Sequence, residues 1–198
     1  MPRRRGFTDL EVARAAKQVF WDRGYGGTAI DDLQVATGLS RSSLYLAFGG
    51  KRAVFDAAIA DYVTSFIDPL VGPLEAPEAG LREAADYFRS LADYFGLPEA
   101  HRGCLMVNSM AELAGRDPSF SRSAADFVRR LRTAFGNALG NAAADGAMDP
   151  KQASRRTALL AASVVGVWIA VRTDATAAAA TCLTVAQEIS SWGSLPAG

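Results

Sequence analysis

The stretch GLSRSSLYLAFGGK, from Gly38 to Lys51, constrains the fold more than any other part of the chain. It is too short and too polar at its start for a core helix, and it ends in two glycines followed by the cations Lys51 and Arg52. Glycine suits a turn because it tolerates a positive φ without steric cost. The stretch therefore predicts a turn at Gly38 and a short helix that Ser40 caps and that ends near Phe48.

The rest of the chain is also divided into helical segments. Pro and Gly fall between segments of helical periodicity, and no stretch alternates convincingly between apolar and polar residues, so we predict an all-α fold of about nine helices. Thr8 and Thr28 suit the N-caps of the first two helices, and Asp-Pro pairs at residues 117–118 and 149–150 mark the starts of two later ones. A break is predicted from Asp68 to Pro77.

The two parts of the chain differ in helix length and in charge. Residues 1–52 carry nine Lys and Arg against five Asp and Glu, whereas residues 53–198 carry twelve against sixteen. A segregated basic segment indicates a partner with negative charge, either nucleic acid or an anionic membrane surface. Because the short helices around Gly38 have a helix-turn-helix pattern, we predict a DNA-binding domain over residues 1–52. Residues 53–198 are predicted to form a second helical domain, with the fourth helix shared between the two.

The predicted third helix has the chemistry of a helix that enters the major groove of DNA. Leu44 and Phe48 are four residues apart and would face inward, so the outward surface carries Arg41, Ser42, Ser43, Tyr45 and Leu46. Arginine can donate two hydrogen bonds to guanine, serine can bond to bases or phosphates, and leucine can touch a thymine methyl group. Thr28 and Lys51 stand at predicted helix N-termini, which favour phosphate, and Arg3 to Arg5 form a basic arm.

Residues 8–55, above all TAIDDLQVATGLSRSSLYLAFGGKRAVF, resemble the DNA-binding domain of the TetR family of bacterial transcriptional regulators. From Thr28 to Lys51 the spacing of these residues matches that of the family's DNA-binding domain without a gap. The resemblance implies that the five outward residues of the third helix contact the major groove and that Thr28 and Lys51 contact phosphates. Two positions depart from the family pattern. Gln34 stands where a small alanine usually packs against the third helix, and Ala47 stands where many members carry a polar or aromatic residue that reaches the DNA backbone.

The resemblance implies that residues 53–198 form a ligand-binding and dimerisation domain. The last two helices are rich in small residues that permit close helix approach, namely Ala161, Ala162, Gly166, Ala170, residues 177–180 and Ala186. The apolar area of such an interface would come from Val164, Val167, Trp168, Leu183, Ile189 and Trp192. We therefore predict a homodimer that forms through these helices. The alternative is that they form an internal core.

An effector pocket is predicted inside the larger domain. Aromatic residues and methionines form an adaptable apolar cavity that suits a hydrophobic or aromatic small molecule. The candidate lining residues are Tyr62, Phe66, Phe88, Leu91, Phe95, Met106, Met110, Phe127, Leu131 and Trp168, and Cys104 is the eleventh candidate ligand contact. Any single one of them is more often a plain core position than a pocket residue. No cluster of carboxylates indicates a metal or a polyamine, so neither a metal nor a cofactor is predicted.

The stretch HRGCLMVNSMAE, residues 101–112, resembles a sequence found in a subset of these regulators. Cys104 would lie at the start of the sixth helix beside His101 and Arg102, where positive potential lowers the pKa of a thiol. This pattern predicts, as an alternative function, a sensor of electrophiles or oxidants. The simpler interpretation is a buried thiol, which is common for free cysteine. Asn108 is predicted either to bond a ligand or to cap a neighbouring helix.

Other classes of function have little support. The chain has one histidine and no phosphate-binding glycine loop or nucleophile motif, so an enzyme is not predicted. We predict a cytoplasmic protein without a membrane span. The chain has only two cysteines, MPRRRGFTDL does not have the pattern of a signal peptide, and the longest apolar run is fourteen residues. We therefore predict a regulator, most simply a repressor, that binds a pseudo-palindromic operator as a homodimer and is released by a small, largely apolar effector. A helical ligand-binding dimer without DNA affinity is the further alternative.

Overall fold

A computed structural model describes residues 7–193, and these residues form α-helices and no β-strand. The helices are α1 (Asp9–Gly27), α2 (Ile30–Thr37), α3 (Arg41–Phe48), α4 (Lys51–Tyr62), α5 (Asp68–Glu75), α6 (Leu81–Phe95), α7 (Leu105–Leu113), α8 (Pro118–Ala144), α9 (Pro150–Ala170) and α10 (Ala175–Ser191). A π-helical turn, Val63–Ile67, follows α4, and a 3₁₀-helix, Pro98–Arg102, precedes α7. The predicted all-α fold is confirmed. Within the described part of the chain, no helix combines the length and apolar content that crossing a bilayer requires.

Local capping chemistry explains where several helices begin. At α1, Thr8 and Glu11 form a reciprocal capping box, which also lowers the pKa of the Glu11 carboxyl. At α3, the hydroxyl of Ser40 accepts a hydrogen bond of 3.2 Å from the backbone N–H three residues later. Asp117 and Asp149 cap α8 and α9 in the same way, each followed by proline at the first helical position. These four predicted N-caps are confirmed.

The first compact unit contains α1 to α4 and the π-helical turn, and it ends at Ile67. Its core is aromatic at the centre, where the rings of Phe20 and Phe55 meet edge to face with centroids 5.1 Å apart. Leu33 of α2 and Leu44 of α3 are fully buried beside them. The two short helices therefore each contribute one large apolar side chain to a core that α1 and α4 provide.

The C-terminal end of α4 is joined to α1 by a buried ion pair. The Lys17 ammonium lies 2.6 Å from a carboxylate oxygen of Asp61 and donates a second hydrogen bond, of 3.0 Å, to the hydroxyl of Ser65 in the π-helical turn. A buried pair of this kind is costly to break, because removal of one partner leaves the other charge uncompensated. The pair therefore fixes the end of α4 against α1.

The second compact unit begins at Asp68 and contains α5 to α10. Within it, α6 packs mainly against α10, and α8 packs mainly against α9. The rings of Phe88 and Phe135 stack with centroids 5.8 Å apart, and those of Phe95 and Trp168 meet edge to face at 5.0 Å. These aromatic contacts join α6 to α8 and α9 in one apolar core.

The helix α5 occupies residues for which the sequence predicts a break. It includes Pro73, whose missing N–H weakens a helix interior. Side chains of α8 support it from outside, because Arg130 bonds to carboxylates at both ends of α5. Asn137 and Asn141 donate to four backbone carbonyls between residues 74 and 79. The prediction of a break was wrong because these tertiary contacts outweigh the local effect of proline.

The boundary between the units lies further along the chain than the predicted boundary after Arg52. The structure groups α4 with the three preceding helices, and the second unit starts at Asp68. The reason is that α4 packs along α1 and supplies the core residue Phe55. Tyr62 and Phe66, predicted as residues of the larger domain, consequently lie in the first unit.

Candidate functional site

The outward face of α3 carries most of the side chains predicted to reach DNA. Leu44 is fully buried, and Phe48 is half-buried on the same side of the helix. On the other side Arg41, Ser42 and Tyr45 are exposed, and the side chain of Leu46 is 83% exposed. An apolar side chain with so little cover is available for contact with a partner. The residues at this face are Arg41, Ser42, Tyr45 and Leu46, with the half-buried Ser43 at its edge.

The serines at the start of α3 form a local hydrogen-bonded group. The Ser40 hydroxyl lies 3.0 Å from that of Ser42 and 2.9 Å from that of Ser43. Each hydroxyl provides one donor and two acceptor positions, so these contacts leave capacity for a further partner. The group therefore orders the N-terminus of α3 while it keeps polar atoms at the exposed face.

Gln34 of α2 provides a support for α3 that the sequence did not indicate. Its side-chain oxygen accepts a hydrogen bond of 2.9 Å from the backbone N–H of Arg41, and its amide nitrogen donates to Asp31 at 2.7 Å. The N–H at the first position of a helix has no partner within that helix. Gly38 makes the contact possible, because its φ of 70° turns the chain between the two helices. Gln34 thus joins α2 to α3, and the larger side chain is accommodated.

Thr28 does not have the position predicted for it. Its side chain is 1% exposed, and its hydroxyl donates to the carbonyl oxygen of Gly24 at 2.6 Å. The backbone of Gly24 is non-helical, with a φ of 72°, so its carbonyl lies at a kink of α1 and accepts from outside the helix. The N-cap of α2 is Ala29, whose N–H donates to Asp32 at 2.7 Å. The predicted cap at Thr28 was wrong, and its buried hydroxyl cannot reach a phosphate in this conformation.

Lys51 lies at the N-terminus of α4, as predicted. Its ammonium is 4.4 Å from the centre of the Tyr25 ring, which holds the side chain by a cation–π interaction. The N-cap residue is Gly50, which supplies no side-chain cap for the first turn of α4. The neighbouring Arg52 bonds to both carboxylate oxygens of Asp56, at 2.9 and 3.0 Å. Lys51 is therefore the cation better placed for an external phosphate.

The predicted basic arm, Arg3 to Arg5, lies outside the described residues. Its contribution to DNA binding stays a prediction from the sequence.

Most of the eleven residues predicted to contact an effector lie in packed cores. Tyr62 and Phe66 stack on each other at 5.2 Å and pack against Trp21 of α1. In the second unit, eight further predicted residues are buried: Phe88, Leu91, Phe95, Cys104, Met106, Phe127, Leu131 and Trp168. Met110 is different because it lines a groove of about 600 Å³ between α7 and α8. Effector contact by the buried residues stays a prediction, and the groove is a feature that the sequence did not indicate.

The two thiols are fully buried in the second unit. Cys104 occupies the N-cap position of α7, and Cys182 lies within α10. Burial raises the pKa of the Cys182 thiol to about 12, so this sulfur stays protonated at neutral pH. Asn108 donates to the carbonyl oxygen of Arg102 at 2.7 Å and accepts from Arg172 at 3.3 Å, which holds the 3₁₀ segment against α7. The arrangement matches the simpler interpretation of Cys104 as a buried thiol.

Comparison with known proteins identifies the family. The family model described as bacterial regulatory proteins of the tetR family matches residues 12–58. A second model, described as the tetracyclin repressor-like C-terminal domain, matches residues 80–186 and so covers more than half of the chain. The chain belongs to the TetR family. The residues of α2 and α3 described above are therefore the helix-turn-helix of a TetR-family transcriptional regulator.

Individual relatives agree with this assignment. The helix-turn-helix transcriptional regulator YezE of Bacillus subtilis (strain 168) is 31% identical over 135 residues, which are 68% of this chain and 70% of YezE. The transcriptional repressor ComR of Escherichia coli (strain K12) is 33% identical over 100 residues, 50% of this chain and 48% of ComR. Among solved structures, a cysteine mutant of the TetR-family regulator CifR complexed with 26-bp operator DNA is 28% identical. Its TM-score is 0.71, over 98% of this chain and 100% of that chain.

The second unit of this TetR-family chain exposes an apolar face on its last helices. Leu159 and Ile169 of α9 and Leu183 of α10 are about half exposed or more, and the side chain of Leu159 is 62% exposed. Four residues predicted for the dimer interface lie inside the unit instead: Val164, Val167, Trp168 and Ile189 are buried. The physical reason is that α9 carries two apolar stripes, and the stripe with the larger side chains packs on α6 and α8. Groups of three or more His, Cys, Asp or Glu suited to a metal are absent from residues 7–193.

Proposed function

We propose that this TetR-family regulator binds a pseudo-palindromic operator as a homodimer, represses transcription there, and is released by a small molecule bound in its second unit. The observation that carries the proposal is the face of α3, where Arg41, Ser42, Tyr45 and the 83%-exposed Leu46 stand together on a helix supported from behind. A helix of this width fits the major groove of B-DNA. Arg41 is assigned to base recognition, and Lys51 to a phosphate.

The homodimer is proposed to form through the exposed apolar face of α9 and α10. Small residues, including Ala162 and Gly166, lie exposed along α9 between Leu159 and Ile169 and permit close approach of a second copy. Two recognition helices on one dimer would enter successive major grooves about 34–36 Å apart. The operator is therefore expected to be an inverted repeat with one helical turn between half-site centres.

Repression at an operator is supported by the relatives. ComR is a transcriptional repressor, and CifR has been solved on operator DNA. An effector can release the protein only if it binds the DNA-free geometry more tightly than the DNA-bound geometry. The alternative of a thiol sensor is not favoured, because both thiols are buried.

The test is selection of bound duplexes from a random DNA pool by the purified protein without effector. The proposal predicts enrichment of an inverted repeat, and the same selection with Arg41→Ala should lose preference at one base position of each half-site. A folded dimeric protein that enriches no sequence would contradict the proposal and favour a ligand-binding dimer without DNA affinity. Steep salt dependence on duplex DNA, but not on anionic vesicles, would separate DNA binding from membrane association.

The dimer face has its own test by sedimentation equilibrium. Leu159→Glu places a charge within the proposed interface and should shift the protein towards monomer. Leu97→Glu is the matched control, because Leu97 is a similarly exposed leucine outside α9 and α10. If both variants stay dimeric, or if both dissociate, this face is not the interface.

A further inference from the structure

A groove between α7 and α8 in the second unit has no assigned role. Its lining residues are Met110, Ala114, Ser121, Ala124, Ala125, Val128, Arg129 and Arg132, and its volume is about 600 Å³. We call this surface the α7–α8 groove. A volume of this size lies within the range of small-molecule sites, about 300–1,000 Å³. The groove can therefore hold a ligand without any movement of the packed aromatic core.

Part of the lining of the α7–α8 groove is apolar. Met110 of α7 and Val128 of α8 are half-buried, and Ala124 and Ala125 lie on the turn of α8 before Val128. The methionine side chain is flexible and polarizable, so it adapts to ligands of different shape. No acidic residue lines the groove. This part of the lining therefore suits a short alkyl chain or an aromatic ring.

Another part of the lining is cationic. Arg129 and Arg132 line the groove one turn apart, and Arg132 also lines a second groove, of about 620 Å³, between α8 and α9. Arg129 is paired with Asp126 on the same exposed surface of α8. Arg132 is exposed and stands at the point that both grooves share. Its guanidinium is the group best placed to receive an anion.

The charge of α8 supports the same conclusion. The helix carries four arginines and a single acidic residue, Asp126, although residues 53–198 have an excess of acid. Arg130 is neutralised by Asp68 and Glu75, and Arg129 by Asp126. The positive charge that is left along α8 therefore belongs to Arg122 and Arg132, and of these two only Arg132 lines the groove.

We propose that the α7–α8 groove binds an amphipathic monoanion, whose carboxylate pairs with Arg132 and whose apolar part lies against Met110 and Val128. The planar guanidinium can donate two parallel hydrogen bonds to a carboxylate, which fixes the orientation of the ligand. A neutral amide of equal size would offer the arginine a carbonyl acceptor but no negative charge and no second equivalent oxygen, so it should bind more weakly. The proposal deepens the proposed function and rests on it for the step that couples binding to DNA release.

Binding is tested on the full-length protein by isothermal titration calorimetry with octanoate, and with naphthoate as an aromatic counterpart. Octanamide is the neutral control. We expect saturable binding of one anion per chain and at least about tenfold weaker binding to Arg132→Gln, because charge-assisted hydrogen bonds are lost. Arg122→Gln is the matched control, since Arg122 is exposed on the same helix but does not line the groove. Its affinity should stay within about twofold of the parent.

Three results would overturn the site. They are the absence of saturable binding of both anions, equal affinity of the Arg132 and Arg122 variants, and equal binding of octanamide. Ala125→Trp, which fills the groove, should abolish anion binding while circular dichroism and sedimentation stay unchanged. If that variant instead alters the oligomeric state, the groove is a subunit contact and the proposal is wrong.

The coupling to DNA is measured separately with the operator obtained by selection. Arg132-dependent release of operator by octanoate supports both the site and its regulatory role. Release that is equal in the parent and in Arg132→Gln refutes the site and leaves the proposed function standing. Arg132-dependent binding with unchanged operator affinity establishes the site and refutes regulation by this class of ligand.

Discussion

The contact between α8 and α5 offers a quantitative test of how the second unit is held together. Arg130 donates to the two carboxylate oxygens of Glu75 at 2.7 and 2.9 Å and to Asp68 at 2.5 Å. These bonds join α8 to both ends of α5. The Arg130 hydrogen bonds hold the pKa of the Glu75 carboxyl below its ordinary value and raise the pKa of the guanidinium. Arg130→Gln removes the charge while it keeps a polar side chain.

The expected loss of unfolding free energy in Arg130→Gln depends on how exposed the arginine and its two carboxylate partners are. A hydrogen bond to a charged group contributes about 1.5–3 kcal/mol, but an exposed ion pair contributes only about 0.2–1 kcal/mol. The side chains of Arg130, Asp68 and Glu75 are 30%, 43% and 39% exposed, so water replaces part of the hydrogen bonding that the substitution removes. We therefore expect Arg130→Gln to lower the free energy of unfolding by about 1–2 kcal/mol. Arg129→Gln should change it by at most about 0.5 kcal/mol, because that arginine and its partner Asp126 are both largely exposed.

The lowered pKa of Glu75 determines how the stability of the protein changes with pH. A carboxyl whose pKa is lowered on folding contributes stability above its unfolded pKa, and that contribution is lost as the pH falls through the lower folded pKa. For Glu75 the loss begins near its ordinary value of 4.5 and continues below it. Arg130→Gln should therefore show a smaller decline in stability below that pH than the parent protein.

The assay is urea unfolding followed by circular dichroism, at neutral pH and at acid pH, with hydrogen exchange of the α5 amides as a local readout. Faster exchange in α5 is expected for Arg130→Gln but not for Arg129→Gln. Equal unfolding midpoints and equal α5 exchange for the two variants would refute the reasoning, because the network would then contribute no more than an exposed pair.

Three other predictions concern the DNA-binding helices and the thiols. Gln34→Ala should lower the free energy of unfolding by about 0.5–1 kcal/mol, because one hydrogen bond to α3 is lost. It should also weaken operator binding without a change in the preferred DNA sequence, and a changed preference would contradict the role of Gln34 as a support. In binding titrations Arg41→Ala should cost about 1–3 kcal/mol and relax one base position, whereas Lys51→Ala should weaken all sequences and reduce the salt slope by about 1. Cys104 and Cys182 should not react with a thiol reagent at neutral pH until urea unfolds the protein, and rapid native-state labelling would restore the sensor hypothesis.

Helix positions could be predicted where the deciding chemistry is local. Ser40, Asp117 and Asp149 each cap the backbone within three residues, so the sequence contains the whole interaction. The helix α5 could not be predicted in this way, because its support comes from side chains more than fifty residues away, among them Arg130 and Asn137. Proline at the first position of α8 and of α9 was a correct guide for the same local reason.

The candidate site was predictable to a similar degree. The outward residues of α3 follow from the spacing of Leu44 and Phe48 around one helix, whereas the burial of Thr28 depends on a kink at Gly24 that changes the start of α2. The exposed face of α9 was misjudged because helical periodicity identifies apolar stripes without stating which stripe meets the interior. Only the packing of α9 on α8 decides that question.

The bond from Gln34 has a consequence for how such a protein can change its target. Gln34 holds the main chain of Arg41, not its side chain, so the support does not depend on which residue occupies position 41. The hydroxyl of Ser40 also caps backbone, and the buried Leu44 with the half-buried Phe48 anchors the inner side. Arg41 and Leu46 can therefore be exchanged for other residues while the scaffold beneath them stays intact. Sequence specificity can therefore change without loss of the fold. A library of variants at positions 41 and 46 should yield new operator preferences in proteins that still fold.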